Sequence, residues 1–316
     1  MLKKLSIIIV NYNSGEELIV CIKSIRRYLT NVSYEIIVVD NNSTDNSREL
    51  LRINFKNIQK IFLKTNSGYA FANNYAMEQC NGDYILLLNP DTYIKNNSIK
   101  QMINFLDSKP DVGVLGPLLI DPNGKIQLPS SNFPDLKQQI LYMLSCKFLL
   151  NRIARSSEQR VALKLKIPFE VDWVSGACFM LKRIIYETIG GLDESFFLYA
   201  EDVDWCIRIK DSGWKIFCHP SIEVVHIGGV SSEKNIYLLL TTRYKSNLYF
   251  AKKHFSSSQL FILRLIVLSG LFFRLILTPV IKFMKPNESR LRMAAYYNSI
   301  LLWLGFESNN INGSIY

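Results

Sequence analysis

The sequence predicts an α/β fold with a mostly parallel sheet flanked by helices, and two observations predict it. Short apolar runs alternate with helical segments through the first 120 residues, which is the pattern of βαβ units. Several of these runs are apolar throughout, as in interior parallel strands that helices cover on both faces. With 316 residues, 48% of them hydrophobic, the chain can bury one large core and carry an appendage.

The first five predicted strands follow one another at regular intervals: LSIIIV at 5–10, YEIIVVD at 34–40, IQKIFL at 58–63, YILLL at 84–88 and VGVLGPLLI at 112–120. Helices are expected between them, through Leu18, Ile22 and Ile25, from about Tyr69 to Cys80, and near 96–107. The first strand follows two lysines, yet its apolar stretch is too short for a signal peptide and no small-residue cleavage site follows.

Beyond residue 120 the pattern loosens and then resumes. Residues 121–170 are rich in turn formers and include an amphipathic, basic stretch at 136–155, so they are expected to form an inserted lobe. VDWVSGACFML is then expected as a strand and YAEDVDWCIRIKDSG as a helix that ends at Gly213. KIFCH and IEVVH are expected as two further short strands.

The last quarter differs in composition, so we expect one domain at 1–230 and a helical region at 231–316. Of the net charge of +10, the segment from 231 onward supplies +8, with 11 Lys and Arg against 3 Asp and Glu. Its apolar stretch 260–284 has no charge-free run longer than Leu265–Phe273, whereas a membrane span needs about 20 residues.

The charged side chains of this stretch share one helical face, with a kink or break expected at Pro279. We therefore expect residues 256–285 to lie in a membrane interface with the cations toward the lipid headgroups. The alternative is a soluble amphipathic helix packed on the domain. A nucleic-acid partner is not expected, because no recognition module or platform of aromatic and basic residues is evident.

The six cysteines lack the spacing of metal or redox motifs, which favours free thiols in a reducing compartment. They lie at 21, 80, 146, 178, 206 and 218.

Five acidic or histidine residues are candidates for chemistry, because they stand where strands end or a helix begins. Asp40 and Asp91 close apolar strands, Glu201 and Asp202 open a helix, and His226 closes another strand. In open α/β sheets, ligands bind outside the carboxyl ends of the strands. Each residue alone has an ordinary explanation as a turn, helix-start or surface residue. Together they supply the groups for metal-assisted transfer from a nucleotide diphosphate.

Over residues 5–230 the sequence resembles the family 2 glycosyltransferases, and within them the rhamnosyltransferase-like members. The resemblance rests on an ordered set of motifs: SIIIVNYNSGEEL, IIVVDNNSTDNS, TNSGYAFANN, LLLNPDTYI, VDWVSGACFMLKR, GLDESFFLYAEDVDWCIRIKDSGW and VVHIGG. It implies the Rossmann-like nucleotide-diphospho-sugar transferase fold of the GT-A type, with a C-terminal helical membrane-associating extension.

The resemblance also implies roles for individual residues. Asp91 of the NPD motif matches a ligand of Mg²⁺ or Mn²⁺, with Asn89 in place of a first Asp, and His226 matches a further metal ligand. Asp202 matches the catalytic base, and Glu201 is expected to orient the acceptor. The positions matched to donor binding are Asn11, Asp40, Asn42, Gly68, Asn74, Asn89 and Asp91.

Three further expectations concern the acceptor side and its surroundings. Trp173 and Gly176 are candidates for acceptor contact, although a large aromatic residue in a strand is more often core. Trp205 is expected in the core, and Asp204 on the helix surface.

The activity implied is inverting, metal-dependent transfer of a sugar to a lipid-linked or cell-surface polysaccharide at the cytoplasmic face of the cell membrane. The NPD motif favours L-rhamnose from dTDP-rhamnose as the donor sugar. One alternative is the same fold with a UDP-hexose donor. Another is an inactive member that binds glycan or acts as a scaffold in polysaccharide assembly.

Overall fold

The computed structural model describes residues 4–127, 130–143, 155–228, 235–284 and 286–306, which divide into two units. The first unit holds the described residues of 4–133, 155–197 and 201–228. The second holds those of 134–143, 198–200 and 235–306. It therefore takes in residues from the predicted lobe as well as the C-terminal helices.

The strands, in chain order, are β1 (Lys4–Asn11), β2 (Ser33–Asp40), β3 (Gln59–Phe62), β4 (Tyr84–Leu88), β5 (Thr92–Tyr93), β6 (Val112–Ile120), β7 (Ser130–Ser131), β8 (Phe169–Glu170), β9 (Trp173–Val174), β10 (Cys178–Lys182) and β11 (Lys215–His226). Nine of these described strands form one sheet, in the order β3-β2-β1-β4-β10-β6-β11-β5 with β8 also on β11. The other two, β7 and β9, pair with each other.

The helices of the first unit are α1 (Gly15–Tyr28), α2 (Ser47–Asn54), α3 (Tyr69–Met77), α4 (Ser98–Ser108), α6 (Ser157–Leu165), α7 (Arg183–Ile189) and α8 (Glu201–Asp211). Those of the second unit are α5 (Leu136–Met143), α9 (Ile236–His254), α10 (Ser257–Met284) and α11 (Pro286–Leu304).

The predicted fold class is confirmed by this sheet and its helices. The strands β1, β2, β3 and β4 are parallel neighbours, and β11 is parallel to β6. The strand β1 has a core on each face, because Ile7 and Ile9 pack into one hydrophobic cluster while Ile8 and Val10 pack into the other. This two-sided burial is why these strands are apolar without alternation.

Two strand predictions differ from the structure. The segment VDWVSGACFML is not one strand, because residues 175–177 separate β9 from β10 with a turn in which the Cys178 N–H donates to the Ser175 carbonyl. The runs KIFCH and IEVVH belong to one strand, β11, whose register shifts between His219 and Glu223 around Pro220. Proline has no N–H to donate to the sheet, so it is accommodated at this irregularity.

The strands β5 and β10 bring distant parts of the chain together. The strand β10 lies antiparallel between β4 and β6, so its amino end lies beside the carboxyl end of β4. The strand β5 follows β4 after three residues yet pairs with the end of β11, Thr92 opposite His226. The segment Asn89–Asp91 therefore runs along the carboxyl edge of the sheet from β4 to β11.

The second unit has its own hydrophobic core, formed by α5, α9, α10 and α11. Trp303 is fully buried there, and its indole N–H donates to the Tyr244 carbonyl at 3.2 Å. The helix α10 continues through Pro279 to Met284, so the predicted break at this proline is absent. Of the predicted amphipathic stretch at 136–155, residues 144–154 lie outside the described residues, as does Cys146.

The orientation of α10 is opposite to the one expected from its charges. Thr278, which shares a helical face with Arg264, is fully buried, and the Arg264 Nε atom is buried without a hydrogen-bond partner. The exposed face is instead apolar, with Phe261 62%, Phe273 63% and Ile276 72% exposed. By length and composition alone, Ser257–Thr278 is also long and apolar enough to cross a membrane.

Candidate active site

The candidate site residues of the first unit gather at the carboxyl edge of its sheet. Asn11 and Asp40 are register partners at the ends of β1 and β2. Asp91 follows β4, and His226 ends β11. Gly176 precedes β10 at the same edge, since the Asn89 N–H donates to the Ala177 carbonyl at 3.0 Å. The topology thus brings together residues as far apart in the chain as Asn11 and His226.

Asp91 and His226 form a pair at this edge. The Asp91 Oδ1 and His226 Nε2 atoms are 3.4 Å apart, and Asp91 is 8% exposed. The Gly228 N–H donates to Asp91 Oδ2 at 3.1 Å, and the Ile227 N–H donates to the Asp91 carbonyl at 2.9 Å. The aspartate is therefore fixed to the segment that follows β11.

Gln127 orients the histidine of this pair. Its Nε2 donates to the His226 carbonyl at 2.7 Å, which directs its Oε1 toward His226 Nδ1, also at 2.7 Å. Because the amide oxygen can only accept, Nδ1 carries the proton in the neutral ring and the Nε2 lone pair faces Asp91. An amide that holds the second nitrogen of a histidine is a common arrangement behind metal-binding histidines.

The pair fits a divalent cation. Two adjacent ligands of one ion with bonds of about 2.1 Å lie about 3 Å apart, close to the Asp91–His226 separation. In the part of the chain that the structure describes, no group of three His, Cys, Asp or Glu side chains is placed to hold a metal. An ion bound here would take its other ligands from substrate phosphate and water.

Asp40 lies in a buried polar cluster at the carboxyl ends of β1 and β2. Its Oδ2 accepts from Asn11 Nδ2 at 3.1 Å, and its Oδ1 accepts from Arg48 Nε at 2.5 Å and from the Ser43 N–H at 3.1 Å. Asn11 and Asp40 are fully buried, whereas the Arg48 side chain is 31% exposed. Sequence reasoning missed Arg48, because only the tertiary fold turns the first turn of α2 back toward the end of β2.

Two loop residues of the predicted donor pocket adopt left-handed backbone conformations. Asn42 has φ 63°, and its Oδ1 lies 3.4 Å from Arg48 Nη2. Gly68 has φ +87°, and a Cβ atom there would lie 2.5 Å from the Phe197 carbonyl oxygen. Only glycine fits at position 68, both for its backbone angle and for this close approach.

Asn74 and Asn89 lie in different surroundings. The Asn74 amide donates to the Leu192 carbonyl and to Glu194 Oε1, both at 2.8 Å, and accepts from the Leu192 N–H at 2.9 Å. Its side chain thus holds the turn before α8, and its role in donor binding stays a prediction. Asn89 is half-buried, and its carbonyl accepts from the Thr92 hydroxyl at 2.7 Å.

Glu201 and Asp202 form the first turn of α8, and their environments differ. Asp202 Oδ2 accepts from the Gly176 N–H at 2.9 Å and Oδ1 accepts from the Val203 N–H at 2.8 Å. Glu201 is 5% exposed, and its buried Oε2 has no partner. Burial, with the neighbouring Asp202 charge, raises the pKa of Glu201 well above its ordinary value. Burial also raises the pKa of Asp202, against the lowering effect of its backbone hydrogen bonds.

These environments stabilise a negative charge unequally on the two carboxyl groups. The backbone N–H groups stabilise a negative charge on Asp202, while Glu201 lacks comparable donors at Oε2. Pairs of carboxyl groups whose environments separate their pKa values commonly divide acid and base roles. Asp202 is thus suited to accept a proton, and Glu201 to remain neutral and donate a hydrogen bond.

The surroundings of this pair correct one prediction. Asp204 is not on the helix surface but fully buried, and its Oδ2 accepts from Arg208 Nε at 3.1 Å. Trp205 is fully buried as expected and stacks on Phe179, with ring centroids 5.3 Å apart. Trp173 is half-buried, and its indole N–H donates to the Asn132 carbonyl at 3.1 Å.

The family-model comparison matches residues 6–190, more than half of the chain, to the glycosyl transferase family 2 model. The N-acetylglucosaminyl-diphospho-decaprenol L-rhamnosyltransferase of Mycobacterium tuberculosis is 26% identical over 270 residues, covering 79% of this chain and 85% of that protein. The low-salt glycan biosynthesis hexosyltransferase of Haloferax volcanii is 29% identical over 262 residues, covering 80% of this chain and 78% of that protein.

Among solved structures, the fold is similar to that of a mannosyltransferase from Pyrobaculum calidifontis in complex with GDP-Man and Mn²⁺. The TM-score is 0.55 at 15% identity, and the match covers 96% of this chain and 87% of that chain. This likeness concerns the fold. Together with the family match and the similar transferases, it confirms the resemblance seen in the sequence: the chain belongs to glycosyl transferase family 2 and is a glycosyltransferase.

Proposed function

We propose that this glycosyltransferase is an inverting, metal-dependent enzyme that transfers L-rhamnose from dTDP-rhamnose to a lipid-linked glycan. The observation that carries the proposal is the position of a hydrogen-bonded carboxylate, Asp202, at the same sheet edge as the Asp91–His226 pair. A base and a phosphate-side ion site are the two groups that a single displacement needs.

In this mechanism, Asp202 accepts the proton of the acceptor hydroxyl as that oxygen attacks the anomeric carbon from the side opposite the diphosphate. The attack forms one carbon–oxygen bond as the bond to the diphosphate breaks, which inverts the anomeric configuration. No covalent sugar–enzyme intermediate is required. Glu201, held neutral by its burial, donates a hydrogen bond that orients the acceptor.

On the donor side, Asp91 and His226 would hold Mg²⁺ or Mn²⁺, and Gln127 keeps His226 in the tautomer that ligation requires. When bound, the ion would neutralise the charge that develops on the departing diphosphate. The Mn²⁺ in the similar mannosyltransferase complex supports a divalent ion. We assign Asn11, Asp40, Asn42, Gly68 and Asn89 to the nucleotide side of the site, with Trp173 and Gly176 toward the acceptor.

The sugar and the acceptor are proposed from the NPD motif and from a relative. The similar protein of Mycobacterium tuberculosis is an L-rhamnosyltransferase whose name gives a diphospho-decaprenol acceptor. The similar hexosyltransferase of Haloferax volcanii supports the second candidate, the same chemistry with a UDP-hexose donor.

We also propose that the described helices of the 231–316 region attach the enzyme to the cytoplasmic face of the membrane, with 1–230 as the catalytic domain. The supporting observation is the exposed apolar face of α10, which includes Phe261, Phe273 and Ile276. The excess of positive charge from residue 231 onward favours an anionic lipid surface.

A donor panel tests the proposed reaction. The purified full chain is incubated with a polyprenyl-diphosphate-linked N-acetylglucosamine acceptor, Mn²⁺, and dTDP-rhamnose, UDP-glucose, UDP-galactose or GDP-mannose in turn. We expect turnover of dTDP-rhamnose and an inverted anomeric centre in the product by NMR. Turnover of another donor but not dTDP-rhamnose would refute the sugar assignment, and a retained configuration would refute the mechanism.

Asp202→Asn is the matched variant for this panel. It keeps the shape of the side chain but removes its basicity, so kcat is expected to fall by about 10²–10⁴-fold. Nucleotide binding is expected to remain. Unchanged kcat in this variant would exclude Asp202 as the base.

A further inference from the structure

The base candidate is connected to α3 through a glycine. The Tyr69 hydroxyl donates to the Gly176 carbonyl at 2.8 Å, and the Gly176 N–H donates to Asp202 Oδ2 at 2.9 Å. The two hydrogen bonds lie on either side of one Cα atom. A change in the backbone angles of Gly176 therefore alters both of them together.

We propose that Tyr69 is a positioning residue for the catalytic base, because its hydroxyl holds the carbonyl of Gly176, the residue whose N–H holds the Asp202 carboxylate. The inference rests on the proposed role of Asp202 as base. The Tyr69 hydroxyl donates to Gly176 and not to Asp202 itself.

The hydrogen bond from Tyr69 matters because glycine restricts its own backbone less than any other residue does. Gly176 lies in the turn that separates β9 from β10, and its own N–H and carbonyl bind Asp202 and Tyr69 rather than a neighbouring strand. A side chain at this position would place its Cβ atom 3.1 Å from the Tyr69 hydroxyl, which is tighter than ordinary contact. The small residue and the tyrosine are therefore fitted to each other.

Tyr69 is well placed to act as a fixed point. It is the first residue of α3, its N–H donates to the Phe197 carbonyl at 2.7 Å, and Gly68 before it packs closely on Phe197. Its ring packs against the hydrophobic cluster on one face of the sheet. The backbone and the ring of Tyr69 are thus both held, which leaves its hydroxyl little freedom.

The titratable groups near Asp202 are Glu201 and Cys206 on α8 and Tyr69 on α3. Burial raises the pKa of the Tyr69 hydroxyl, as does negative charge on the nearby Glu201–Asp202 pair, so Tyr69 stays neutral and keeps donating. Loss of the Tyr69 hydroxyl weakens the Gly176–Asp202 hydrogen bond. That bond favours the ionised carboxylate, so its weakening raises the pKa of Asp202 further.

Tyr69→Phe tests the proposal, since it removes the hydroxyl and keeps the ring. We expect kcat to fall about tenfold, as for one hydrogen bond lost from an ordered site, with the KM for the donor within twofold of wild type. We also expect the acidic limb of the kcat against pH profile to move to higher pH. Tyr75→Phe is the matched control, because Tyr75 lies on the same helix and is 40% exposed. It should leave both quantities unchanged.

A stability measurement tests the same link without turnover. Because burial raises the pKa of Asp202 above its unfolded-state value, the folded state loses stability as pH rises from the unfolded-state pKa to the folded-state pKa. Tyr69→Phe should enlarge this loss, so its Tm deficit relative to wild type should grow between pH 5 and pH 8. In the Asp202→Asn background, the deficit should no longer depend on pH.

The possible results separate this inference from the proposed reaction. If Tyr69→Phe matches wild type in kcat and pH profile while wild type turns over donor, the positioning role is refuted and the reaction stands. If kcat is unchanged and only the KM for the donor rises, Tyr69 belongs to the donor pocket, and this result also refutes the positioning role. If wild type turns over no donor, the proposed function fails. If the Tm deficit of Tyr69→Phe depends on pH equally in the Asp202→Asn background, the connection between Tyr69 and Asp202 through Gly176 is refuted.

Discussion

At the scale of single residues, the division of labour between Glu201 and Asp202 follows from hydrogen-bond donors rather than from residue type. Both are carboxylic acids at the start of α8, and burial raises the pKa of both. Only Asp202 has a backbone N–H on each carboxylate oxygen, whereas Glu201 has a buried oxygen without a partner. A negative charge is therefore better stabilised on Asp202 than on Glu201.

Glu201→Gln is expected to retain activity within about fivefold, because glutamine replaces a neutral carboxyl group with a neutral amide of the same size. Because the Glu201 carboxyl group is neutral when Asp202 ionises, its replacement should leave the acidic limb of the kcat against pH profile in place. Steady-state kinetics from pH 5 to pH 9 measure both the activity and the position of this limb. Loss of activity as large as in Asp202→Asn would show that Glu201 is the base instead.

Gly68 is required both by its backbone angle and by the space around it. Gly68→Ala should cost the roughly 1–2 kcal/mol of a left-handed non-glycine residue, plus a clash of its Cβ atom 2.5 Å from the Phe197 carbonyl oxygen. Gly124→Ala is the control, since φ there is +82° and nothing lies within 4 Å of its Cβ position. Urea unfolding compares the two variants. Equal losses in the free energy of unfolding would mean that the contact with Phe197 is unimportant.

The site residues that the sequence could indicate are those at the ends of recognisable strands. Asp40, Asp91 and His226 could be found because an apolar run stops at or near each of them. The residues that orient them could not, because Gln127, Arg48 and Tyr69 act through contacts that only the tertiary fold creates. Gln127 lies 99 positions from the histidine that it holds.

At the scale of elements, the periodicity of the sequence predicted where the strands lie but not which strands pair with each other. The parallel order β3-β2-β1-β4 follows from βαβ units, whereas the antiparallel position of β10 between β4 and β6 has no local signature. The buried position of Asp204 was missed for a similar reason. Its burial depends on Arg208, whose guanidinium also donates to the Gly191 carbonyl at 2.7 Å.

The same limit applies to α10. The helical wheel located its polar stripe, but the wheel cannot show which face the neighbouring helices cover. In the structure, the helix face that carries Leu263, Leu271 and Thr278 is buried. The face that carries Phe261, Phe273 and Ile276 is exposed. An exposed apolar face on a helix that also carries cations is typical of a segment that binds at a lipid surface.

Replacing Phe261, Phe273 and Ile276 together with Ser should reduce binding to anionic vesicles at least tenfold, because three exposed apolar side chains no longer enter the lipid. Their exposure predicts little change in Tm. Ile53→Ser is the control, since Ile53 is 66% exposed in the first unit. Flotation with phosphatidylglycerol vesicles measures the effect. Equal flotation of the triple variant and wild type would refute the membrane role of this face.

At the scale of the whole molecule, one sheet edge collects the chemistry of the first unit while the second unit has a separate hydrophobic core. The positive charge is also unequally distributed, with +8 of the net +10 from residue 231 onward. This division agrees with a catalytic unit that acts on a soluble nucleotide donor and a C-terminal region that meets a lipid surface.

The most direct test of the central claim is thermal unfolding of the full chain with dTDP, UDP or GDP, each with and without Mn²⁺. A ligand at about 100 times its Kd stabilises the folded state by about 2.7 kcal/mol. We expect dTDP to raise Tm only when Mn²⁺ is present, and Asp91→Asn to abolish the increase. Stabilisation that survives without Mn²⁺ and in Asp91→Asn, or that is absent with all three nucleotides, would contradict a metal-dependent donor site at this sheet edge.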